Sequence, residues 1–183
     1  MAFTDEYKGV EAHGKTKLHI IHTNDKKQMT ISLVQYKRHL SLLRPKIVGI
    51  DLEYNNEPEA TQKPALCKLS VDKNHPVLLF QLSATERCTV FDNFFADPSM
   101  LIDDYNNNMK KEITDDKHKR WATLPLSMRH IEYAVKDAYA AYEIWNRITL
   151  TQDGLRRAKL EKEDPPPPKK RARSSWGWGD ANW

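Results

Sequence analysis

The segment Lys46–Tyr54 has the sequence KIVGIDLEY, and it decides which fold the chain can adopt. Its first half is apolar and β-branched, which is typical of a buried strand. Its second half carries two carboxylates, Asp51 and Glu53. Residues i and i+2 of a strand point to the same face, so both carboxylates converge on one point, where a bound cation would relieve their repulsion. A surface strand end with two solvated acids is the alternative interpretation.

Strands and helices are predicted on either side of this segment. The β-forming composition of 17–23, 65–71 and 77–82 predicts three further short strands, and the last two continue from Lys46–Tyr54 as an antiparallel meander. Helices are predicted for 30–43, with Thr30 as its cap, for 85–97, and for 127–150, with Ser127 as its cap. The fold class expected from this order is α/β.

The last predicted helix carries a second pair of reactive side chains. Tyr133 and Asp137 are four residues apart, so they lie one above the other on one helix face. Ala134, Ala138 and Ala141 lie on the same side, which predicts that this face packs closely against another element. A hydrogen bond between a phenol and a carboxylate inside the protein is the alternative interpretation.

Both pairs occur in segments that resemble known motifs. The run IVGIDLEY resembles the first motif of the DEDD superfamily of 3′–5′ exonucleases, and LSMRHIEYAVKDAYAAYEIW resembles the third motif of its tyrosine-type (DEDDy) branch. The run WATLPLS resembles the segment that precedes that helix in exonuclease domains of the Werner-syndrome type. The resemblance covers about residues 17–150.

This resemblance implies an RNase H-like fold, in which helices flank a mixed sheet. It also implies two Mg²⁺ or Mn²⁺ ions and hydrolysis of DNA or RNA from the 3′ end to nucleoside 5′-monophosphates. Asp51, Glu53 and Asp137 match the metal ligands of the family. Tyr133 matches the tyrosine that positions the attacking water by hydrogen bonding.

The sequence departs from the family in one block. The family has a fourth carboxylate, an Asp on a helix that follows a further strand, and the sequence predicts neither element near 96–101. Asp103 or Asp104, on a possible short helix within 98–120, are the surrogate ligands that the chain offers. An alternative transcript, a fault in the gene model or natural loss of activity would each shorten the chain in this way. A catalytically impaired form that binds nucleic acid or regulates is therefore the alternative function.

The two ends of the chain are predicted to lie outside this domain. Residues 1–16 show no clear period and predict a flexible arm, and 151–183 predict a charged, proline-rich tail. No apolar run approaches the roughly 18 residues that cross a bilayer, so no membrane partner is expected. The formal net charge of +4 permits a polyanionic partner without requiring one.

The tail itself carries two features with functional interpretations. A basic cluster after four prolines resembles a nuclear-import signal, which predicts an import receptor as partner and the nucleus, with the cytoplasm as a second location. A generic basic run is the alternative. The tail tryptophans fit partner docking or base stacking, so a third hypothesis is an interaction protein that acts through its tail. The basic cluster is Lys169, Lys170, Arg171 and Arg173, and the tryptophans are Trp176, Trp178 and Trp183.

Overall fold

The computed structural model describes residues 1–12, 15–54, 64–82, 89–98, 100–104 and 120–163, and for 100–104 and 161–163 it describes the backbone alone. The chain divides into two compact units, Met1–Thr149 and Leu150–Trp183. The strands belong to the first unit, and the described part of the second is helical. Among the described residues, no helix combines the length and the apolar character needed to cross a bilayer.

A mixed six-stranded sheet forms the framework of the first unit, with the strand order β1-β2-β5-β4-β3-β6. The predicted meander is confirmed, because β4 pairs antiparallel with both β3 and β5. Strand β2 runs parallel to β5, and β6 runs parallel to β3. The strands are β1 (Thr4–Glu11), β2 (Lys17–Thr23), β3 (Lys46–Tyr54), β4 (Pro64–Ser70), β5 (Val77–Gln81) and β6 (Met100–Asp104).

Helices cover both faces of the sheet, which confirms the α/β class. The helices are α1 (Lys26–Ser41), α2 (Thr89–Phe95) and α3 (Met128–Glu163). One core cluster joins α1 and α2 to one sheet face through Leu33, Tyr36 and Phe94. The other joins α3 to the opposite face through Ile131 and Val135. The central strands β2, β4 and β5 therefore send side chains into two separate cores on opposite faces.

A glycine lets α3 approach β3 at very short range. A Cβ atom built on Gly49 would lie 2.5 Å from the carbonyl oxygen of Ala138 and 2.5 Å from the backbone nitrogen of Tyr142. Because Ala138 has only a methyl side chain, the helix can use this space. Gly49 lies two residues before Asp51 on the same strand face, so the close approach brings α3 up to the strand's first carboxylate.

The predicted flexible arm at 1–16 is wrong, because Thr4–Glu11 forms strand β1 along the edge of the sheet. Most of its side chains are exposed, with Val10 the buried one, so the sequence lacks the alternation that identifies a half-buried strand. Gly9 has a φ of +77°, and the register shifts between Lys8 and Val10, which is a β-bulge that glycine accommodates.

Two predicted helix boundaries also need correction. Helix α1 begins at Lys26 rather than after Thr30, because the side chain of Asp25 caps it by accepting a 2.9 Å hydrogen bond from the backbone N–H of Lys27. Helix α3 begins after Ser127, as predicted, but continues beyond residue 150 to Glu163. Gly154 lies inside it, which shows that a single glycine does not end a long helix.

The prediction that no strand follows α2 is also wrong. Met100–Asp104 pairs with β3 in parallel register from Lys46 to Ile50. Five residues that begin two positions after Pro98 offer little pattern to distinguish a strand from a loop, and the pairing with β3 identifies the strand. Residues 100–104 are therefore strand rather than part of the short helix predicted within 98–120, and the rest of that prediction, at 105–119, lies outside the described residues.

We expect Gly49→Ala to lower the free energy of unfolding by about 3 kcal/mol, because the added methyl would overlap backbone atoms that cannot move independently. Urea denaturation followed by circular dichroism measures the change. Gly154→Ala is the matched control: it meets nothing within 4 Å and should stabilise α3 by up to about 1 kcal/mol. Equal midpoints for Gly49→Ala and the wild type would contradict the close packing of α3 on β3.

Candidate metal centre with an internal lysine

Three carboxylates meet where α3 crosses β3. Asp51 and Glu53 extend from β3 and Asp137 from α3, and each offers a carboxylate oxygen within 4.8 Å of the others. Asp51 is the most enclosed, with 8% of its surface exposed. Asp51 and Asp137 are 86 positions apart along the chain. The packing of α3 on the sheet thus brings together the two pairs of residues that the sequence singles out.

A lysine from the neighbouring strand lies among these acids. Lys68 on β4 is the Cα partner of Asp51 on β3, so the two side chains extend from the same sheet face. Its ammonium forms ion pairs with Asp51 Oδ2, with Glu53 Oε1 at 2.6 Å and with Asp137 Oδ2 at 3.5 Å. The side chain of Lys68 is completely buried. A lysine is found in such a position only when charge partners compensate its lost hydration.

The charge of Lys68 is maintained by its three neighbours. Burial alone would lower the pKa of Lys68, but the attraction of Asp51, Glu53 and Asp137 outweighs it and raises the pKa above the usual lysine value. The side chain is therefore a cation at neutral pH. Three carboxylates nevertheless carry three negative charges, and one ammonium supplies a single positive charge.

Two aromatic rings complete the surroundings of this ammonium. The nitrogen lies 5.6 Å from the ring centroid of Tyr133 and 6.0 Å from that of Trp121, within the range of cation–π attraction. Trp121 is fully buried in the core beneath α3, and its carbonyl accepts a 2.6 Å hydrogen bond from Gln81. Tyr133 is partly buried against the same core. The structure thus places Tyr133 beside the acid cluster, on the same helix as Asp137.

A cavity of about 270 Å³ opens next to Tyr133 along the start of α3. Arg129, His130 and Lys136 line it together with Glu132 and Tyr133. Arg129 and Lys136 are exposed, so their cationic groups are available to an anionic ligand. The cavity therefore joins basic side chains to the neighbourhood of the three carboxylates.

The surrogate acids Asp103 and Asp104 lie at the end of β6. Their Cα partners are Gly49 and Ile50 on β3, immediately before Asp51. The sequence places these acids on a possible helix, and that prediction is wrong, because the backbone continues the sheet. The register brings the two acidic positions next to the strand that carries Asp51.

Lys68 is the residue that sequence reasoning missed. The run ALCKLSV predicts a strand with one polar face, whereas β4 is buried on both faces from Ala65 to Ser70. A lysine between Cys67 and Leu69, in the strand next to IVGIDLEY, was the available signal. Whether the side chain of Lys68 lies beside Asp51 depends on the register between β3 and β4, which no local pattern specifies.

The donor set of the three acids fits a hard divalent cation. Mg²⁺ and Mn²⁺ prefer carboxylate oxygens, and three such oxygens within 4.8 Å of one another can share one ion. The ammonium of Lys68 is itself a cation held by the same oxygens, so this position stabilises positive charge. Asp51, Glu53 and Asp137 are the described residues that would hold such an ion.

A second cluster of possible ligands, His39, Asp72 and His75, lies on the α1 side of the protein. Asp72 accepts 2.8 Å hydrogen bonds from the backbone N–H groups of Asn74 and His75, and its carboxylate pairs with His75 Nδ1 at 2.8 Å and with His39 Nε2 at 3.0 Å. The two imidazole rings lie 4.1 Å apart. This pattern is an Asp-stabilised turn between β4 and β5 that is anchored to α1.

Neither a protein-family model nor a curated protein matches the chain. The acids, the lysine and the basic cavity are therefore the features from which a function can be inferred. The basic cluster at 169–173 and the tail tryptophans lie outside the described residues.

We expect Asp72→Asn to destabilise the protein at pH 7 by about 1–2 kcal/mol, as for hydrogen bonds to a charged acceptor near the surface. Burial would raise the pKa of Asp72, but the hydrogen bonds from His75 and Asn74 outweigh it and lower the pKa below 3.8. The stabilisation is thus complete well above pH 3.8 and is lost as the pH falls through the lowered folded-state pKa.

Urea denaturation of both proteins between pH 7 and pH 3 tests this expectation. The difference in unfolding free energy should be present in full well above pH 4 and should narrow below pH 4. A difference that stays constant over the whole range would show that the carboxylate charge of Asp72 contributes nothing.

Proposed function

We propose that this chain is a 3′–5′ exonuclease of the tyrosine-type DEDD group, acting on nucleic acid ends with an RNase H-like fold. The observation that carries the proposal is the convergence of Asp51, Glu53 and Asp137 beside Tyr133. Supporting observations are the meander β3-β4-β5 and the parallel strand β6 beside β3, an arrangement that suits an RNase H-like sheet. The basic cavity along α3 supports an anionic substrate.

The role of each side chain follows from its position. Asp51, Glu53 and Asp137 would hold Mg²⁺ or Mn²⁺, which when bound stabilises negative charge on a phosphodiester and activates water. Tyr133 stands beside the acids with a phenol that can position a water molecule by hydrogen bonding. Asp103 and Asp104 are the candidates for a fourth carboxylate, because their backbone positions adjoin Gly49 and Ile50.

Substrate binding is assigned to the cavity at the start of α3. Arg129 and Lys136 would contact backbone phosphates, which fixes the register of a strand without reading its bases. The helix N-terminus adds partial positive charge to the same region. This arrangement would direct a nucleic acid end toward Tyr133 and the acids.

A second candidate function is binding of 3′ ends without cleavage. The specific observation in its favour is Lys68, whose ammonium already pairs with the carboxylates that would hold the metal. The same basic cavity would serve both functions. Retained binding of 3′ ends together with absent hydrolysis distinguishes this candidate from the first.

Nuclear location remains a prediction from the tail, and it accompanies both candidates. The basic cluster at 169–173 would bind an import receptor, and substitution of its four basic residues should move a fluorescent fusion of the full chain out of the nucleus. Unchanged nuclear accumulation would contradict the assignment.

Hydrolysis is tested with a 5′-labelled duplex that has a recessed 3′ end, incubated with the purified full chain and Mn²⁺ or Mg²⁺. We expect stepwise shortening from the 3′ end. Asp137→Asn should reduce the rate by at least about 100-fold, since loss of a ligand costs more than the 10–100-fold typical of groups behind the ligands. Asp153→Asn, on the same helix but outside the acid cluster, is the matched control and should keep the wild-type rate. No shortening by folded wild-type protein would refute hydrolysis and leave binding.

Binding is tested separately by fluorescence anisotropy with a labelled single strand over a range of salt concentrations. Arg129→Gln and Lys136→Gln should each weaken binding and reduce the slope of log K against log salt by about 1, as expected for one lost phosphate contact. Lys37→Gln, exposed on α1 and therefore on the other side of the sheet, is the control for loss of one positive charge. An equal effect of all three substitutions would mean that the cavity at the start of α3 is not the binding surface.

A further inference from the structure

The cluster around Lys68 differs in one respect from a simple acidic metal site, because its cation is covalently part of the chain. Lys68 is the register partner of Asp51, and it is fully buried. The ammonium pairs with one oxygen of each carboxylate, the closest contacts being with Asp51 and Glu53. The pairing of β4 with β3 and β5 fixes the backbone of Lys68, so the ammonium can leave the carboxylates only by a change in the conformation of its own side chain.

The carboxylate oxygens that contact Lys68 are the same ones that a divalent ion would need. Asp51 Oδ2, Glu53 Oε1 and Asp137 Oδ2 all pair with the ammonium. Mg²⁺ and Mn²⁺ bind carboxylate oxygens at about 2.0–2.2 Å, so an ion on these oxygens would overlap or closely approach the ammonium. Two cations at that separation repel each other, most strongly where water is excluded.

We infer that Lys68 is an internal counter-ion that competes with a divalent metal ion for Asp51, Glu53 and Asp137. The ion binds only when the ammonium leaves these oxygens, and without the ion Lys68 supplies positive charge that offsets part of the repulsion among the acids. This inference deepens the proposed function and rests on its metal-binding acids, but it does not depend on cleavage of nucleic acid.

The internal counter-ion has a consequence for folding. Three converging carboxylates without a cation repel one another and destabilise the folded state. With Lys68 among them, the fold forms without metal, and its melting temperature is insensitive to chelators. Without Lys68, the stability of the fold depends on an added ion. An ion that binds the folded state and not the unfolded state stabilises the folded state by mass action.

The test measures Mn²⁺ binding to the purified full chain by electron paramagnetic resonance, together with the melting temperature with and without Mn²⁺. Lys68→Gln should bind Mn²⁺ at least about ten-fold more tightly than the wild type, because a unit charge some 4 Å from the ion is removed. Its melting temperature should rise more with Mn²⁺ than that of the wild type. Lys46→Gln is the control: it removes one lysine charge from the start of β3, where Lys46 pairs with Asp97, and should behave as the wild type does.

Equal Mn²⁺ affinities for Lys68→Gln and the wild type would overturn the inference, as would absence of binding to both. If Lys68→Gln does not fold, Glu53→Gln is compared with the double variant Glu53→Gln, Lys68→Gln, whose cluster has the same net charge as that of the wild type. The double variant should bind Mn²⁺ at least about ten-fold more tightly than Glu53→Gln does, because the nearby charge of Lys68 is again removed. Equal affinities in this pair would likewise overturn the inference.

The cleavage assay on the same proteins separates this inference from the proposed function. Tighter Mn²⁺ binding by Lys68→Gln, with no shortening of the duplex by either that variant or the wild type, supports the internal counter-ion and overturns hydrolysis. Shortening by the wild type, with Mn²⁺ affinity unchanged by Lys68→Gln, supports hydrolysis and overturns the internal counter-ion.

Discussion

The ion cluster of Lys68 with Asp51, Glu53 and Asp137 joins two strands of the sheet to the helix that covers it. Each carboxylate would be costly to enclose without a cation, and a buried lysine would be costly without the carboxylates. The charges are therefore interdependent: removing Lys68 leaves three carboxylates without a cation, and removing a carboxylate takes away part of the compensation of the buried lysine. This interdependence constrains both the register between β3 and β4 and the position of α3 on the sheet.

Close packing makes the cluster possible. The absence of a side chain at Gly49 lets the turn of α3 from Ala138 to Tyr142 lie directly against β3. Asp137, immediately before that turn, is thereby carried to the acids of the strand. A bulkier residue at position 49 would move the helix outward and separate Asp137 from Asp51. The site thus depends on a contact between two backbones as much as on its charged side chains.

The functional interpretation depends on which cation the acids hold. Under the proposed function, the acids would hold a divalent ion and the basic cavity along α3 would bind the substrate. With Lys68 alone, the same scaffold is a folded protein in which the ammonium partly compensates the acids. Both states use the same fold, so fold class alone does not decide between cleavage and binding. What decides between cleavage and binding is the relative affinity of the acids for the divalent ion and for the Lys68 ammonium.

Local sequence patterns determined much of the fold. The β-branched run before Asp51 predicted β3, the two short runs after it predicted the meander, and the spacing of Tyr133 and Asp137 predicted that they share a helix face. Patterns of this kind are local because strand and helix periods extend over a few residues only.

Tertiary structure alone decided the rest. Strand β1 has mostly exposed side chains and β6 is only five residues long, so both became identifiable through the strands they pair with. The position of Lys68 depended on the register between β3 and β4, and a shift of one residue would have placed its side chain on the other face. The sequence by itself determined which acids were available, whereas the pairing of β4 with β3 and the packing of α3 on Gly49 decided that a lysine lies among them, because long-range contacts set distances that no local pattern contains.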